Sequence, residues 1–424
     1  MNGGLSMVEM KSGYKMTEVG VIPEDWEVKT LGKLACINGR IGFRGYTVKD
    51  LVRKGEGAIA IGGKHISKNY LDLSDAEYIS WKKYYESPEI MVKQGDIVLA
   101  QRGTLGKSAL IKSDIGPATI NPSLVLINKI KCNNLYLIYN MQSSSVTDYI
   151  LQINSQTSIP MISQKQIEGI KIAIAKLDCE QAAIATALSD VDSLISALTK
   201  KIEKKKAIKQ GLMQQLLTGK KRLPGFNDKW KSMLLGDIAE VKDGTHQTPQ
   251  YVKSGGKPFY SVENVTADDF KNVKHISLEE HKALTSNYRM EKGDVLMTRI
   301  GSIGCCKYVD WDVDASFYVS LALLKINEKY DSKFISYLSN IKSFKEEVML
   351  NSLVFAIPQK INLGNISLIK VYIPTSKAEQ TAISNILSDC DSEIAALEEK
   401  RDKYKEIKQG MMQQLLTGKI RLIK

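Results

Sequence analysis

Two stretches of this sequence are nearly the same. Glu180–Leu223 reads EQAAIATALSDVDSLISALTKKIEKKKAIKQGLMQQLLTGKKRL, and Glu379–Leu422 reads EQTAISNILSDCDSEIAALEEKRDKYKEIKQGMMQQLLTGKIRL; 29 of 44 positions are identical at a constant offset of 199 residues. Chance does not produce such a match, so the chain must fold as two copies of one plan. Fainter echoes precede each copy. Trp26 with LGKLA matches Trp230 with LGDIA, KQGDIVLAQRGTLG matches EKGDVLMTRIGSIG, and Ile159-Pro160 matches Ile357-Pro358. The offset drifts from 204 at the tryptophans to 198 at the Gly-Asp pairs, as loops of unequal length require. The expected order is an N-terminal extension (1–20), a first globular domain (21–176), a first repeated segment (177–223), a second globular domain (224–376) and a second repeated segment (377–424).

The repeated segments read as long helices. Ile184, Leu188, Val191, Ile195, Leu198 and Ile202 recur at alternating spacings of four and three. Ile383, Leu387, Cys390, Ile394 and Leu397 keep the same rhythm, with Tyr404 and Met411 on its continuation. This is the seam of a coiled coil. Asp178-x-x-Gln181 and Ser376-x-x-Glu379 have the form of capping boxes at the starts, while Gly219 and Gly418 stand where C-caps belong. About 40 residues at ~1.5 Å each make each rod about 60 Å long.

Charge decides how the rods pair. Acids come early in each copy (Asp190 and Asp192; Asp389, Asp391 and Glu393) and lysines late (Lys204, Lys205, Lys206 and Lys209; Lys403, Lys405 and Lys408). A parallel pair would oppose like charges, whereas an antiparallel pair opposes unlike ones. The expected fold is therefore α/β of the α+β kind: two globular domains separated by two long helices packed as an antiparallel coiled coil, with a pseudo-twofold internal repeat. Such a chain is a caliper. The alternative is a pair of solvated helices that dimerise with another chain.

Gln101–Leu110, QRGTLGKSAL, contains Gly106-Lys107-Ser108, the last three residues of a nucleotide-binding P-loop. The second half is the control. Its matching stretch around Arg299, TRIGSIGCC, has Cys305 and Cys306 in place of the lysine and serine, and Gln101 stands where a P-loop needs its first glycine. Both halves keep a Gly-Asp, an arginine and a Gly-x-x-Gly (Gly103 and Gly106; Gly301 and Gly304), which is the pattern of a hairpin turn with Arg102 and Arg299 at its mouth. Each arginine either pairs with a nearby carboxylate or contacts phosphate or base.

The chain has a net charge of +12, which suits a polyanionic partner. The excess is uneven: Lys and Arg outnumber Asp and Glu by 22 to 16 over 1–176 and 9 to 5 over 177–223, but only by 19 to 18 over 224–376 and 9 to 8 over 377–424. Contacts made by the second globular domain must therefore come from patterning. The six cysteines form no C-x-x-C pair and the four histidines do not cluster, which argues against a zinc site. Cys179 and Cys390 fall among helical residues and read as small buried hydrophobes. No signal peptide is recognisable and no apolar run approaches the roughly 18 residues needed to span a bilayer, so a cytoplasmic, reduced setting without a membrane partner is expected. Nucleophile elbows, zinc-protease helices and dinucleotide fingerprints are missing, and Asn121-Pro122-Ser123 only brushes against the signature of amino-methyltransferases. No catalytic residue, metal site or cofactor is expected on this chain.

What remains are polar runs: GGKHISKNY (62–70), NSQTSIP (154–160) and DGTHQTPQY (243–251). Asn and Gln pair with adenine, Arg and Lys with guanine, and Thr and Tyr reach phosphate or the thymine methyl. The candidate DNA-contacting residues are Lys64, His65, Arg102, Thr104, Lys107, Gln156 and Thr157 in the first half. Those in the second are Thr245, His246, Gln247, Thr248, Tyr251, Arg299 and Ser302. For each of them the alternative is an ordinary solvated loop, since polar loops are common on any surface. Gly211 and Gly410 sit inside helices, where glycine costs about 1 kcal/mol relative to alanine. They mark either a kink or close approach by a partner subunit, with Gln214, Gln215, Gln413 and Gln414 hydrogen-bonding nearby.

IKQGLMQQLLTGKKRL and its second copy, the opening VGVIPEDWEVKTLG (19–32), LPGFNDKW (223–230) and the two Gly-x-x-Gly turns together resemble the DNA-specificity subunit of type I restriction–modification systems, along essentially the whole chain. The resemblance implies two target-recognition domains, each reading half of a bipartite asymmetric site in double-stranded DNA, with the helices fixing the spacer. It also implies two modification (methyltransferase) subunits that carry S-adenosylmethionine and methylate adenine at N6, and restriction subunits that use ATP and Mg. A coiled-coil scaffold for protein interactions without sequence-specific DNA binding is the alternative, and an unrecognised enzyme a third.

Overall fold

The computed structural model describes residues 12–67, 70–154, 161–353 and 355–423. The chain divides into two compact units, 1–198 with 400–424, and 199–399. The boundaries fall inside the two long helices, Asp178–Leu216 and Lys377–Leu415, so each unit holds a half of both.

In the first unit, Cys36–Gly39, Leu124–Asn128, Ile97–Ala100 and Ser108–Leu110 lie side by side in that order, every pair antiparallel. A second sheet orders Leu51–Val52, Glu77–Ser80, Gly57–Ile61 and Ala118–Ile120, the last pair parallel. The second unit repeats both. Its first sheet is Ala239–Asp243, Leu321–Ile326, Val295–Thr298 and Cys306–Tyr308; its second is Tyr251–Val252, Lys274–Ile276, Lys257–Tyr260 and Ser316–Phe317, again with a parallel last pair. A two-stranded ribbon accompanies each: Glu27–Thr30 on Lys171–Ile174, and Trp230–Leu234 on Lys370–Pro374. Strands such as Ile97–Ala100 and Val295–Thr298 are buried at every residue, which explains their unbroken apolar sequences.

The helices pair antiparallel within each unit. In the first, Ile184 and Leu188 share a core with Leu415 and Leu416, and Lys408 meets Asp192 at 2.7 Å. In the second, Ile383 and Leu387 share a core with Met213, Leu216 and Leu217. Lys205 there meets Glu393 and Lys206 meets Glu398, both at 2.7 Å, while Lys209 meets Asp391 at 2.5 Å. The lysines of each late half thus find the acids of the other early half. Leu198, Ile202 and Ile394 on the seam are buried. Tyr139 and Tyr337 donate to Asp192 and Asp391, and burial, followed by those carboxylates, pushes both phenols far above their ordinary value.

Gly219 (φ +69°) and Gly418 (φ +67°) end the helices in the left-handed region, as C-caps do. The helix starts differ from the capping boxes expected of them. Ser376 Oγ does accept from Glu379 N (3.4 Å), but Glu379 turns inward to take Arg222 (2.6 and 2.7 Å) and Trp230 Nε1 (3.4 Å). Gln181 does not reach back to Asp178; it accepts from Asn133 N (2.9 Å) and donates to Ala175 O (2.8 Å). A buried side chain with stronger tertiary partners has no reason to serve its own helix end. Cys179, expected inside, is exposed. Against expectation, the helix Asp178–Leu216 also contains an 18-residue window of mean hydropathy 1.3, long and apolar enough by composition to cross a membrane. That is equally the composition of a helix that lays an apolar seam against a partner helix.

The first unit ties its long-helix start in the same way. Glu180, with no solvent exposure, accepts from Trp26 Nε1 (3.2 Å) and from Arg421 (2.5 and 2.9 Å), which also grips Asp25 at 2.8 Å. Replacing Arg421 by alanine leaves a buried carboxylate with one remaining donor. It should lower unfolding free energy by about 1–3 kcal/mol, read as a lower urea midpoint with unchanged slope.

Candidate nucleic-acid interface

In both units the Gly-x-x-Gly segment is a hairpin between antiparallel strands. Ala100 N bonds Lys107 O (2.8 Å) and Gly106 N bonds Ala100 O (3.1 Å); Thr298 N bonds Cys305 O (2.9 Å) and Gly304 N bonds Thr298 O (2.8 Å). All four glycines have positive φ, between +74° and +84°, a region that side-chain-bearing residues avoid. A P-loop opens a helix; this turn opens a strand, and nucleotide binding is not its task.

The two arginines at its mouth are not equivalent. Gln101 N bonds Ser123 O and its carbonyl takes Ile162 N; in the second unit it is Arg299 whose N bonds Ser320 O and whose carbonyl takes Ile361 N. Arg299 therefore corresponds to Gln101, and Arg102 corresponds to Ile300. Successive residues of extended chain face opposite ways. Arg299 is 8% exposed, donates to Asp243 (2.5 Å) and to Ile361 O (3.3 Å), and acts as an interior strut rather than a group offered to a ligand. Arg102 is exposed, and among the described residues no carboxylate pairs with it or with Lys107.

Around Arg102 the first unit gathers several polar segments. A β-carbon on Gly63 would lie 3.7 Å from Ser123 Oγ and 3.9 Å from Thr104 Oγ1, so the Gly63–His65 turn, the Asn121–Ser123 turn and the hairpin tip meet. Arg102 and Gln101 also line a cleft of about 530 Å³ with Arg40, Pro122, Met161 and Gln164. Thr104 and Lys107 are exposed at the tip. Lys64 is exposed but shared between Asp75 and Glu77, both at 3.3 Å. His65 is a correction: it is 1% exposed, with Nδ1 accepting from Gly62 N at 2.9 Å, and presents no edge to a ligand. Gln156 and Thr157 lie outside the described residues. Ser123 and Arg40 are not among the residues expected from sequence: NPS (121–123) marks Ser123 only as a partial methyltransferase signature, and nothing in the sequence marks Arg40. Arg40 is 7% exposed and braces Ile120 O (3.1 Å) and Thr119 Oγ1 (2.9 Å).

In the second unit Asp243 organises the polar loop. Its carboxylate accepts from Arg299, from Gly244 N (2.9 Å) and from His246 Nε2 (2.8 Å), and its carbonyl accepts from Tyr288 OH. Burial, then the Asp243 charge, raises the Tyr288 phenol, which keeps it a donor. Gly244 is required because a β-carbon there would lie 2.5 Å from the Tyr318 carbonyl group. Thr245 is fixed by Phe317 O and Val319 N. His246, Gln247 and Thr248 follow on the exposed rim, and Tyr251 is half exposed with the Lys274 ammonium 4.8 Å above its ring. Ser302 is exposed on the neighbouring hairpin turn. Among the described residues no cluster of His, Cys, Asp or Glu could hold a metal ion. The groups offered outward are guanidinium, ammonium, amide, hydroxyl and imidazole, which hydrogen-bond phosphates and base edges.

The type I restriction modification DNA specificity domain model matches residues 23–210 and 227–409. The chain belongs to that family. The type I restriction enzyme MjaX specificity subunit named in Methanocaldococcus jannaschii is similar to this family member, 28% identical over 442 residues, covering 97% of each chain. The MjaVIII specificity subunit of the same organism is 26% identical over 447 residues, covering 95% of this chain and 94% of its own. The crystal structure of a type I restriction-modification system S subunit from M. genitalium shares the fold, with a TM-score of 0.61 at 16% identity over 92% of this chain and 96% of that one. In this specificity subunit the two arginines should separate cleanly in chemical denaturation. Arg299→Ala should cost about 1–3 kcal/mol, since Asp243 loses a buried partner, whereas Arg102→Ala should stay within about 0.5 kcal/mol.

Proposed function

We propose that this chain is the non-catalytic DNA-recognition subunit of a cytoplasmic type I restriction–modification complex. Residues 21–176 and 224–376 serve as its two target-recognition domains, each reading one half of a bipartite, asymmetric sequence, and 177–223 and 377–424 fix the unread gap. The observation that carries this reading is one backbone frame used twice with different outward chemistry. Arg102, Thr104 and Lys107 ring the first hairpin where Ile300, Ser302 and Cys305 ring the second, and the loop after the first sheet strand reads RIGFRGYTVKD in the first unit and GTHQTPQ in the second. Two readers of unlike chemistry suit two unlike half-sites.

Methylation and cleavage belong to partners in this proposal: two modification subunits bearing S-adenosylmethionine, with restriction subunits using ATP and Mg. Gly211 and Gly410 support partner docking on the helices. A β-carbon at either would meet nothing within 4 Å, so packing inside the chain gives no reason for glycine there. Gln214, Gln215, Gln413 and Gln414 beside them are exposed.

The deciding experiment co-expresses the chain with its modification subunit and maps N6-methyladenine by sequencing. A split motif with a fixed gap is the expected outcome; methylation without such a motif, or none, would count against the reading. Inserting one heptad in both helices (about 10 Å) should widen the gap by about 3 bp and leave both half-sites unchanged. Gly211→Leu with Gly410→Leu should abolish co-purification of the modification subunit while helix content by circular dichroism is retained; an intact complex would remove that docking assignment.

A further inference from the structure

The second unit carries an apolar groove of about 1210 Å³. It runs between the helix Lys342–Leu350 and the ribbon strand Lys370–Pro374, from Thr218 at the end of a long helix to Lys370. Its wall includes Phe344, Met349, Leu350 and Tyr372, and the last three are 43%, 78% and 53% exposed. An apolar surface of that kind in a folded chain marks an interaction site.

The internal repeat shows how the strand side of the corresponding surface is covered in the first unit, while Leu151 and Gln152, the counterparts of Met349 and Leu350, stay exposed there. Lys171 is the counterpart of Lys370: each opens its ribbon strand, paired with Thr30 and Leu234, and each follows a residue whose carbonyl takes Leu31 N or Leu235 N at 2.8 Å. Thr417 is the counterpart of Thr218, each preceding the glycine that ends its helix. Between these two landmarks the first unit has a β-hairpin, Tyr14–Thr17 on Gly20–Pro23. Its Glu18, at the turn, pairs with Lys171 at 3.0 Å. Its Tyr14 hydroxyl donates to Gly418 O at 3.0 Å, and Ile22 (1% exposed) and Val19 join the core. Ala173, the counterpart of Tyr372, is 8% exposed. In the second unit the chain between Leu216 and Trp230 forms no strand, and among the described residues no carboxylate pairs with the Lys370 ammonium.

We infer that this groove is a docking site for a β-hairpin of a partner polypeptide, with branched aliphatic side chains on one face and a carboxylate at its turn. The carboxylate meets Lys370 as Glu18 meets Lys171, and the aliphatic face covers Tyr372, which stands where Ala173 is covered in the first unit. The inference does not rest on DNA reading, because neither the groove nor its occupant includes a candidate DNA-contacting residue.

The chain supplies its own probe. A peptide of residues 12–25, held as a hairpin by an added terminal disulfide, is titrated against the full-length protein by fluorescence anisotropy. We expect saturable binding of one peptide per chain, weakened by Tyr372→Asp. Lys370→Glu should weaken it about fivefold, the scale of a lost and reversed surface ion pair, and a Glu18→Lys peptide should restore binding to that variant. Tyr372 and Lys370 are exposed, so both variants should keep the wild-type circular dichroism. No saturable binding would overturn the inference. So would binding weakened by Lys171→Glu and untouched by Lys370→Glu, which would mean exchange with the resident hairpin.

Discussion

At the first turn of each long helix a carboxylate with no solvent exposure accepts hydrogen bonds from a tryptophan indole and an arginine guanidinium. A buried charge is tolerated only when it is paired and hydrogen-bonded, so these partners have little freedom. Each tryptophan sits at the edge of a ribbon, Trp26 just before it and Trp230 as its first residue. Each arginine follows the glycine that ends a long helix, Gly418 or Gly219. One ionic contact thus fixes, in each unit, where a helix begins, where the other ends and where the ribbon lies between them. Gln181 and Gln380, the residues after the two carboxylates, extend the same junction to the backbone of Asn133 and Asp331. The framework is held at these points, and the polar loops of the candidate interface can vary because they take no part in them.

Electrostatics divides the labour along the helices. The acidic early half of each finds the lysine-rich late half of the other, and the pairs at Asp192, Asp391, Glu393 and Glu398 are partly exposed. Contacts of that type add little free energy each, but the reversed, parallel arrangement would set like charges together, so they choose direction more than they add strength. The aliphatic seam supplies the cohesion.

Much of this was legible in the sequence, for physical reasons that differ by element. The helices announced themselves because the seam repeats over five turns and a second copy repeats it again. The hairpin turn was legible because glycines at positive φ have few substitutes. Helix starts misled: Ser376-x-x-Glu379 is the right spacing for a capping box, yet spacing does not say that Glu379 is buried beside Arg222. The candidate interface was legible only as a set of polar runs. His65 lies in one and is interior, because loop burial has no periodicity to betray it. Arg102 and Arg299 looked like counterparts because both stand just before a Gly-x-x-Gly; aligning the two turns sets them one residue apart, but only the strand register shows that this sends them to opposite sides.

That one-residue difference has a consequence for how such a frame diversifies. Where Gln101 and Arg102 stand in one copy, Arg299 and Ile300 stand in the other, on an unchanged turn. Adjacent codons in an extended segment therefore address separate compartments, one supporting the scaffold and the next meeting the outside world. A family built on this turn can rewrite its outward letter and leave the hidden one to hold the shape.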